Sequence, residues 1–319
     1  YNNPKESSHT VKNGNTIEQI VQTYINYQNS PTAPYYIGRP EYKKTITTSY
    51  PDQDRYTTEE NYGYTNHLLT TIKKRGNETD YITETNQYDS YGNLTQKSIS
   101  APNVATRTTQ YKYDETTHRF IKESTDIEGL ITQYEYNTSS GQLKTETNPY
   151  NLTTTYGYDS WGKKISLTDY LGKTSTTTYT RSSEKTIIID YLADGNKNYA
   201  VHDDLGRVLK DGYRSFNDQW VLTNYIYDIY NRKTKVSEPY IGSSPTQWNS
   251  ITYDKYGRIS TVTSNTGRIQ TTTYEGLTTK TTDGIKTKTT LKNALGQTIQ
   301  VTDAPIGGTI NYTYYANGN

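Results

Sequence analysis

Over most of the chain, apolar and polar residues alternate with a period of two in short runs. In Thr154-Thr155-Tyr156-Gly157-Tyr158 and Lys164-Ile165-Ser166-Leu167-Thr168, Tyr or aliphatic residues take every second position and Thr, Lys or Ser many of the others. Such alternation predicts strands with one buried face. Between these two runs lies Asp159-Ser160-Trp161-Gly162, a tight turn by its chemistry: Asp bonds its own downstream backbone, and Gly accepts a positive φ without a Cβ penalty. Each such unit reads as a β-hairpin, and a lone hairpin is marginally stable at best. The units must therefore pair edge to edge, and the inherent twist of a long hairpin ribbon makes it coil and enclose space. The expectation is an all-β fold of repetitive hairpins forming a long, coiling antiparallel sheet. One stretch breaks the pattern: Ile17, Ile20, Val21, Tyr24 and Ile25 have helical spacing behind Asn15-Thr16, and helix and strand both fit there.

The turn is one copy of a recurring phrase. Tyr-Asp, two residues, Gly, a basic or amide residue and an aliphatic one recur at Tyr88-Asp89-Ser90-Tyr91-Gly92-Asn93-Leu94, around Tyr158, Asp159 and Gly162, and at Tyr253-Asp254-Lys255-Tyr256-Gly257-Arg258-Ile259. Weaker copies are Asp203 with Gly206 and Arg207, and Tyr227-Asp228 with Asn231 in place of Gly and Arg232 after it. Asp114 and Asn137 fall in step, Tyr179-Thr180-Arg181 is a degenerate copy, and Tyr314 to Asn319 begin another. The period is roughly two dozen residues, as in repeat architectures. A second turn signal precedes each incoming strand, as in Glu128-Gly129-Leu130, Leu171-Gly172-Lys173, Thr266-Gly267-Arg268 and Ile306-Gly307-Gly308. Residues 1–61 read as an irregular lead-in, punctuated by Pro31, Pro34, Pro40 and Pro51, and residues 62–319 as the repeat array, truncated at its C-terminal end.

Composition changes this picture little. Mean hydropathy is -0.97 and hydrophobic residues make up 30%, values that border on disorder. Disorder is excluded by the strand-forming Tyr and Thr, by a net charge of only +1, and by apolar residues that recur in register. The 35 Tyr against 2 Phe and 3 Trp predict large rings buried in the sheet with their hydroxyls reaching water or a backbone carbonyl. With 34 basic and 33 acidic residues the charge leaves no footprint for nucleic acid, and no apolar run is long enough to span a membrane as a helix. The chain has no cysteine, hence no disulfide, thiolate metal site or cysteine nucleophile.

No residue pattern points to an enzyme, a cofactor or a metal. His9, His67, His118 and His202 lack ligand spacing, and there is no Gly-x-Ser-x-Gly elbow. The carboxylates of Glu59-Glu60 and Asp203-Asp204 are sequence neighbours, which point apart on a strand. Each Tyr-Asp turn offers one Asp beside a basic residue, whereas a calcium loop converges several oxygens, so turn structure is the better reading. Arg207, Arg232 and Arg258 are placed to bridge to carboxylates of neighbouring turns. The pairs Tyr111/Tyr113, Tyr134/Tyr136, Tyr156/Tyr158 and Tyr225/Tyr227 share one face, suited to stacking successive repeats or, less simply, to an aromatic platform for sugars.

The recurrence of Tyr-Asp-x-x-Gly-Arg-Ile at this period resembles the Rhs, or YD-repeat, family, from Tyr62 to Asn319. Ile37-Gly38-Arg39-Pro40 before a Thr-rich run is similar to the approach to the repeats in the B components of bacterial Tc toxin complexes. Ser237-Glu238-Pro239-Tyr240-Ile241-Gly242 with Trp248 is similar to an inter-repeat segment of the same proteins. The resemblance implies a sheet that spirals into a hollow shell around the protein's own C-terminal toxin or effector, in a secreted or cell-surface bacterial protein with other toxin-complex subunits as partners. The alternative it carries is the teneurin use of a similar shell, an adhesion or fibre module with a cell-surface ligand, possibly a carbohydrate. The family's self-cleavage segment has no counterpart here. Asp303-Ala304-Pro305-Ile306-Gly307-Gly308 is only superficially similar and lies inside the array. A start at Tyr1 without Met and a stop within a repeat suggest part of a longer protein, with the cargo beyond Asn319.

Overall fold

The computed structural model describes residues 3–33 and 35–319, and Tyr1 and Pro34 of the sequence reading lie outside them. The described residues form 27 strands and no helix, joined in a single sheet. Strands pair antiparallel with their neighbours in sequence almost throughout, from β1 (Glu6–Asn13) with β2 (Thr16–Ser30) to Thr298–Ala304 with Thr309–Asn311. The segment that also fitted a helix is therefore a strand. Its Thr, Ile and Val side chains are β-branched, and β2 lies between β1 and β3 (Tyr36–Ser49), where both its faces are half-buried and an alternating pattern is not required. β2, β3 and β4 (Asp54–Thr65) have 15, 14 and 12 residues, and the sheet runs through residue 61 without interruption. Pro40 stands inside β3, opposite Tyr27 where the register shifts, a place that tolerates its missing N–H.

The regular ladder jogs once. Strand Trp220–Tyr227 pairs through Tyr225–Tyr227 with Lys233–Ser237 and through Val221 and Leu222 with Tyr240–Ile241. Between those two short strands the chain passes Glu238-Pro239. Ser237, 3% exposed, accepts the Asn224 N–H on its Oγ at 2.8 Å and so satisfies the backbone group between the two ladders. The segment singled out in the sequence as an inter-repeat piece is this jog.

The sheet is one layer thick. Its most buried apolar residues are Ile46, Val201 and Ala316, and among the described residues no large side chain is fully buried. Strands such as Ile131–Asn137 alternate strictly between half-buried and exposed positions, with Tyr134 and Tyr136 on the half-buried face. Stability must come from each hairpin against the next, as in other quasi-one-dimensional arrays.

The ribbon also returns on itself. The Ala294 N–H donates to Glu18 at 2.5 Å and the Ala316 N–H to Asp54 at 2.6 Å, contacts that cross 276 and 262 residues. They join late turns to carboxylates near the starts of β2 and β4, with no strand ladder, so the sheet is an open spiral whose late end rests on its beginning. With about 22 interstrand steps of roughly 4.8 Å from β2 to Thr287–Lys292, one winding measures roughly 105 Å around, and a circle of that length is roughly 34 Å across.

Candidate functional site: the two rims and the tyrosine joints

Successive turns alternate between the two rims of this wall. The Tyr-Asp turns all lie on one, here the first rim, and the upstream turns on the second. In the Asp254 turn, the Asp254 N–H donates to the Arg258 carbonyl at 2.8 Å and the Gly257 N–H to the Asp254 carbonyl at 3.0 Å. The Asp254 carboxylate accepts the N–H groups of Tyr256 and Arg258, both at 2.9 Å, and Gly257 has φ of 80°. The turns at Asp89, Asp159, Asp203 and Asp228 repeat this arrangement, with Gly92, Gly162 and Gly206 at positive φ and Asn231 standing in at 66°. Asp114 and Asn137 head longer versions, closed at Phe120 and Gly141.

The second rim uses the same turn. Asp126, Asn148, Asp169 and Ser264 each head a five-residue loop closed by the same two backbone bonds. The sequence pattern marks these turns only by Gly129, Gly172 and Gly267 and passes over the Asn148 turn, where Asn151 replaces Gly. An Asp, Asn or Ser three residues before each Gly, or before Asn151 in its place, was the signal that would have equated the two sets.

The arginines differ from their expected role. Arg207, Arg232 and Arg258 pair with the Asp of their own turn, through Nε at 2.6, 2.8 and 2.7 Å, and not with a neighbouring turn. The five-residue loop folds the side chain back on its own carboxylate, which a neighbouring turn cannot match in distance. Each guanidinium also lies over a tyrosine ring of the next hairpin: Arg207 over Tyr227 at 5.0 Å, Arg232 over Tyr253 at 4.4 Å and Arg258 over Tyr274 at 4.0 Å. Those rings then close the joint with their hydroxyls. Tyr227 donates to the Val208 carbonyl at 2.9 Å, Tyr253 to Lys233 at 2.6 Å and Tyr274 to Ile259 at 3.1 Å, in each case the residue following the Arg. Tyr88, Tyr113 and Tyr314 make the same bond, to Leu69, Leu94 and Thr298.

The remaining sequence candidates fall into structural roles. The companion tyrosines bond side chains on the adjoining strand: Tyr156 to Glu146 at 3.2 Å, Tyr134 with Ser124 at 3.3 Å, Tyr225 to Asp211 at 3.1 Å. Burial and the Asp211 carboxylate push the Tyr225 hydroxyl up to about 12. Glu59 accepts from Arg75 and Tyr81, while Glu60 meets Tyr62, so these neighbouring carboxylates serve separate contacts. His118 stacks on Tyr91 at 4.0 Å, and His202 lies 3.1 Å from the Gly206 carbonyl. The Asp303 segment is a turn of the second rim, with the Asp303 N–H donating to the Gly308 carbonyl. Among the described residues no group of three or more His, Cys, Asp or Glu side chains is placed to hold a metal ion.

These turns are expected to make the wall acid-sensitive. Partial burial raises the carboxyls of Asp203, Asp228 and Asp254, but the N–H bond and guanidinium of the turn's own Arg outweigh it and hold them below the ordinary 3.8. Groups depressed on folding contribute stability that is complete above the unfolded value and is lost as pH falls through the folded one. The urea midpoint is thus expected to hold from neutral pH to about 4 and then decline. Asp254→Asn should flatten the decline, and a midpoint that rises below pH 4, roughly the unfolded Asp value, would contradict this account.

No family model matches the sequence, and no curated protein does. Solved structures match its fold. TcdB2-TccC3 superposes with a TM-score of 0.72 over 95% of this chain at 11% identity. The shell-like fold is that of the Tc toxins. A TcdB2-TccC3-Cdc42 structure gives 0.73 at 10% identity, and the Photorhabdus luminescens Tc holotoxin pore gives 0.70 at 10% identity, each again over 95% of this chain. The chain spans about a quarter of those Tc toxin chains, 23% to 25% of their length. It has a Tc- and Rhs-like shell fold, and among the described residues no helix is long and apolar enough to cross a membrane.

Proposed function

We propose that this chain is a wall segment of a bacterial YD-repeat shell that encloses and protects a C-terminal toxin or effector polypeptide until delivery. The observation that carries the reading is the return of a one-layer sheet onto its own start, through Glu18 and Asp54, after one winding. A wall of this kind acts by sterics, keeping a tethered polypeptide away from proteases and targets. It needs no reacting group: the tyrosines, arginines and carboxylates described above hold hairpin to hairpin. On this reading the Tyr-Asp residues are turn formers, residues 62–319 are repeat array, and the protein works outside the cell as part of a toxin complex.

The test is limited proteolysis of the full-length protein that contains this segment. The polypeptide following the repeats is expected to survive protease while the shell is folded and to be digested once urea opens it. Digestion at the same rate before and after opening would overturn the enclosing role and leave the wall's own fold untouched.

A further inference from the structure

Arg39, in the Ile37-Gly38-Arg39-Pro40 piece singled out in the sequence, differs from the other arginines of the wall. Among the described residues five arginines are half-buried: Arg39, Arg75, Arg207, Arg214 and Arg232. Four of them have a carboxylate. Arg75 meets Glu59 at 2.7 Å, Arg207 meets Asp203 at 2.6 Å, Arg232 meets Asp228 at 2.7 Å, and Arg214 pairs with Asp218. No carboxylate among the described residues pairs with Arg39, and Tyr1, Asn2 and Pro34 carry no carboxylate side chain. A guanidinium cannot shed its proton, so a half-buried one without a counterion lacks an anion.

The tyrosine joint around Arg39 is otherwise intact. The guanidinium lies over Tyr64 of the next hairpin at 4.6 Å, and Tyr64 donates to the Pro40 carbonyl at 3.0 Å, the residue following the Arg, as at Arg207, Arg232 and Arg258. Gly38 before it has φ of 73°, close to the 80° of Gly257. Yet the position four residues before the Arg, Asp in those turns, is Tyr35. Nor does a five-residue loop close here: the Gly38 N–H donates to Asn29 Oδ1 at 2.7 Å, and Tyr36 pairs with Ser30. The joint is kept and its carboxylate is gone.

What remains is a fixed and partly unoccupied donor group. The rings of Tyr36 and Tyr64 lie 3.8 and 4.6 Å from the guanidinium, and Nη2 donates to His67 Nδ1 at 3.1 Å, in the turn after β4 on the first rim. Nε and Nη1 have no hydrogen-bond partner among the described residues, and neither is sealed from solvent. Beside them Tyr35 is 67% exposed and Ile37 is exposed, which offers apolar contact to a chain carrying the missing group.

We infer that Arg39 receives a carboxylate side chain, Asp or Glu, of a partner polypeptide. The carboxylate binds through Nε, the group that the turn's own Asp occupies at Arg207, Arg232 and Arg258. This goes beyond the enclosing role and does not depend on a cargo.

Side-chain NMR of the arginines on the 319-residue chain tests it. The probes are acetate, the blocked peptide acetyl-Gly-Asp-Gly-amide and inorganic phosphate, each against chloride at matched ionic strength. The Arg39 Nε–H and His67 ring signals are expected to shift, and to saturate, with acetate and with the peptide. The signals of Arg207 and Arg232, whose carboxylates are already in place, should stay where they are. Arg39→Lys keeps the charge and loses the planar donor set, so the His67 response should be lost in a variant that circular dichroism finds folded. The wild-type titration decides the matter alone if that variant does not fold. An Arg39 signal that moves no more than in chloride, or no more than those of Arg207 and Arg232, would overturn the inference. So would a stronger response to phosphate than to acetate, a peptide that fails where acetate succeeds, or a His67 response that survives Arg39→Lys.

Discussion

Gly212→Ala is expected to destabilise the sheet by about 3 kcal/mol, the upper end for overpacking a well-filled site. Gly212 lies in the middle of strand Val208–Arg214, opposite Tyr199 on one side and Leu222 on the other. A methyl group there would overlap the Val221 carbonyl oxygen and stand 2.9 Å from Leu222 Cδ2 and 3.0 Å from Leu222 Cα. Two of these three neighbours are backbone, and the strand is held on both edges, so neither side can withdraw without breaking ladder bonds. Gly157→Ala is the control. Its methyl would meet Ser166 Oγ, a side-chain atom that rotates away, and the cost should stay below about 1 kcal/mol. Urea unfolding followed by circular dichroism measures both. Equal midpoints for the two variants would show that the tight approach at Gly212 does not matter.

The second large effect is at the tyrosine joint. Tyr253→Ala removes a half-buried ring, the guanidinium of Arg232 stacked on it, and the hydroxyl bond to Lys233, together about 2 kcal/mol. Tyr253→Phe keeps the ring and should lose about 1 kcal/mol, the net value of one hydrogen bond. In a one-dimensional array the loss weakens one interface between neighbouring hairpins. Hydrogen exchange should therefore accelerate in strands Lys233–Ser237 and Trp248–Tyr253 for Tyr253→Ala, and change little in β3. Uniform acceleration across the chain would mean that the joint is not a local fastener.

Much of this architecture was readable from residues alone, for a physical reason. Alternation of Tyr with Thr or Lys sets the buried face of each strand, and Asp with Gly three residues later sets each turn, because both effects are local. The tyrosine hydroxyls reaching backbone carbonyls followed from ring size and polarity. What escaped was relational. The direction of Arg207, Arg232 and Arg258 depends on which carboxylate the folded loop brings nearest, and their stacking on the next tyrosine depends on hairpin spacing across 16 to 21 residues. The strand at Thr16–Ser30 escaped periodicity because a strand half-buried on both faces need not alternate. The seam was out of reach, since nothing local in Glu18 or Asp54 announces a partner 276 or 262 residues away.

That seam makes the ribbon a winding wall, and it can be measured directly. The chain has no cysteine, so Asp52→Cys with Thr313→Cys introduces two unique spin-label sites, both exposed and both lining the groove between the late and early ends. Pulsed dipolar spectroscopy on the doubly labelled chain is expected to give a single short distance, below about 30 Å, because one strand-to-strand step is roughly 4.8 Å and the two turns face each other across the seam. A flat or gently bowed sheet of the same strands would separate them by roughly 100 Å at that spacing. A short distance, lengthened when Glu18 and Asp54 are both changed to Ala, is the predicted result, and a distance beyond about 60 Å in the parent chain, more than a dozen strand steps, would contradict the winding.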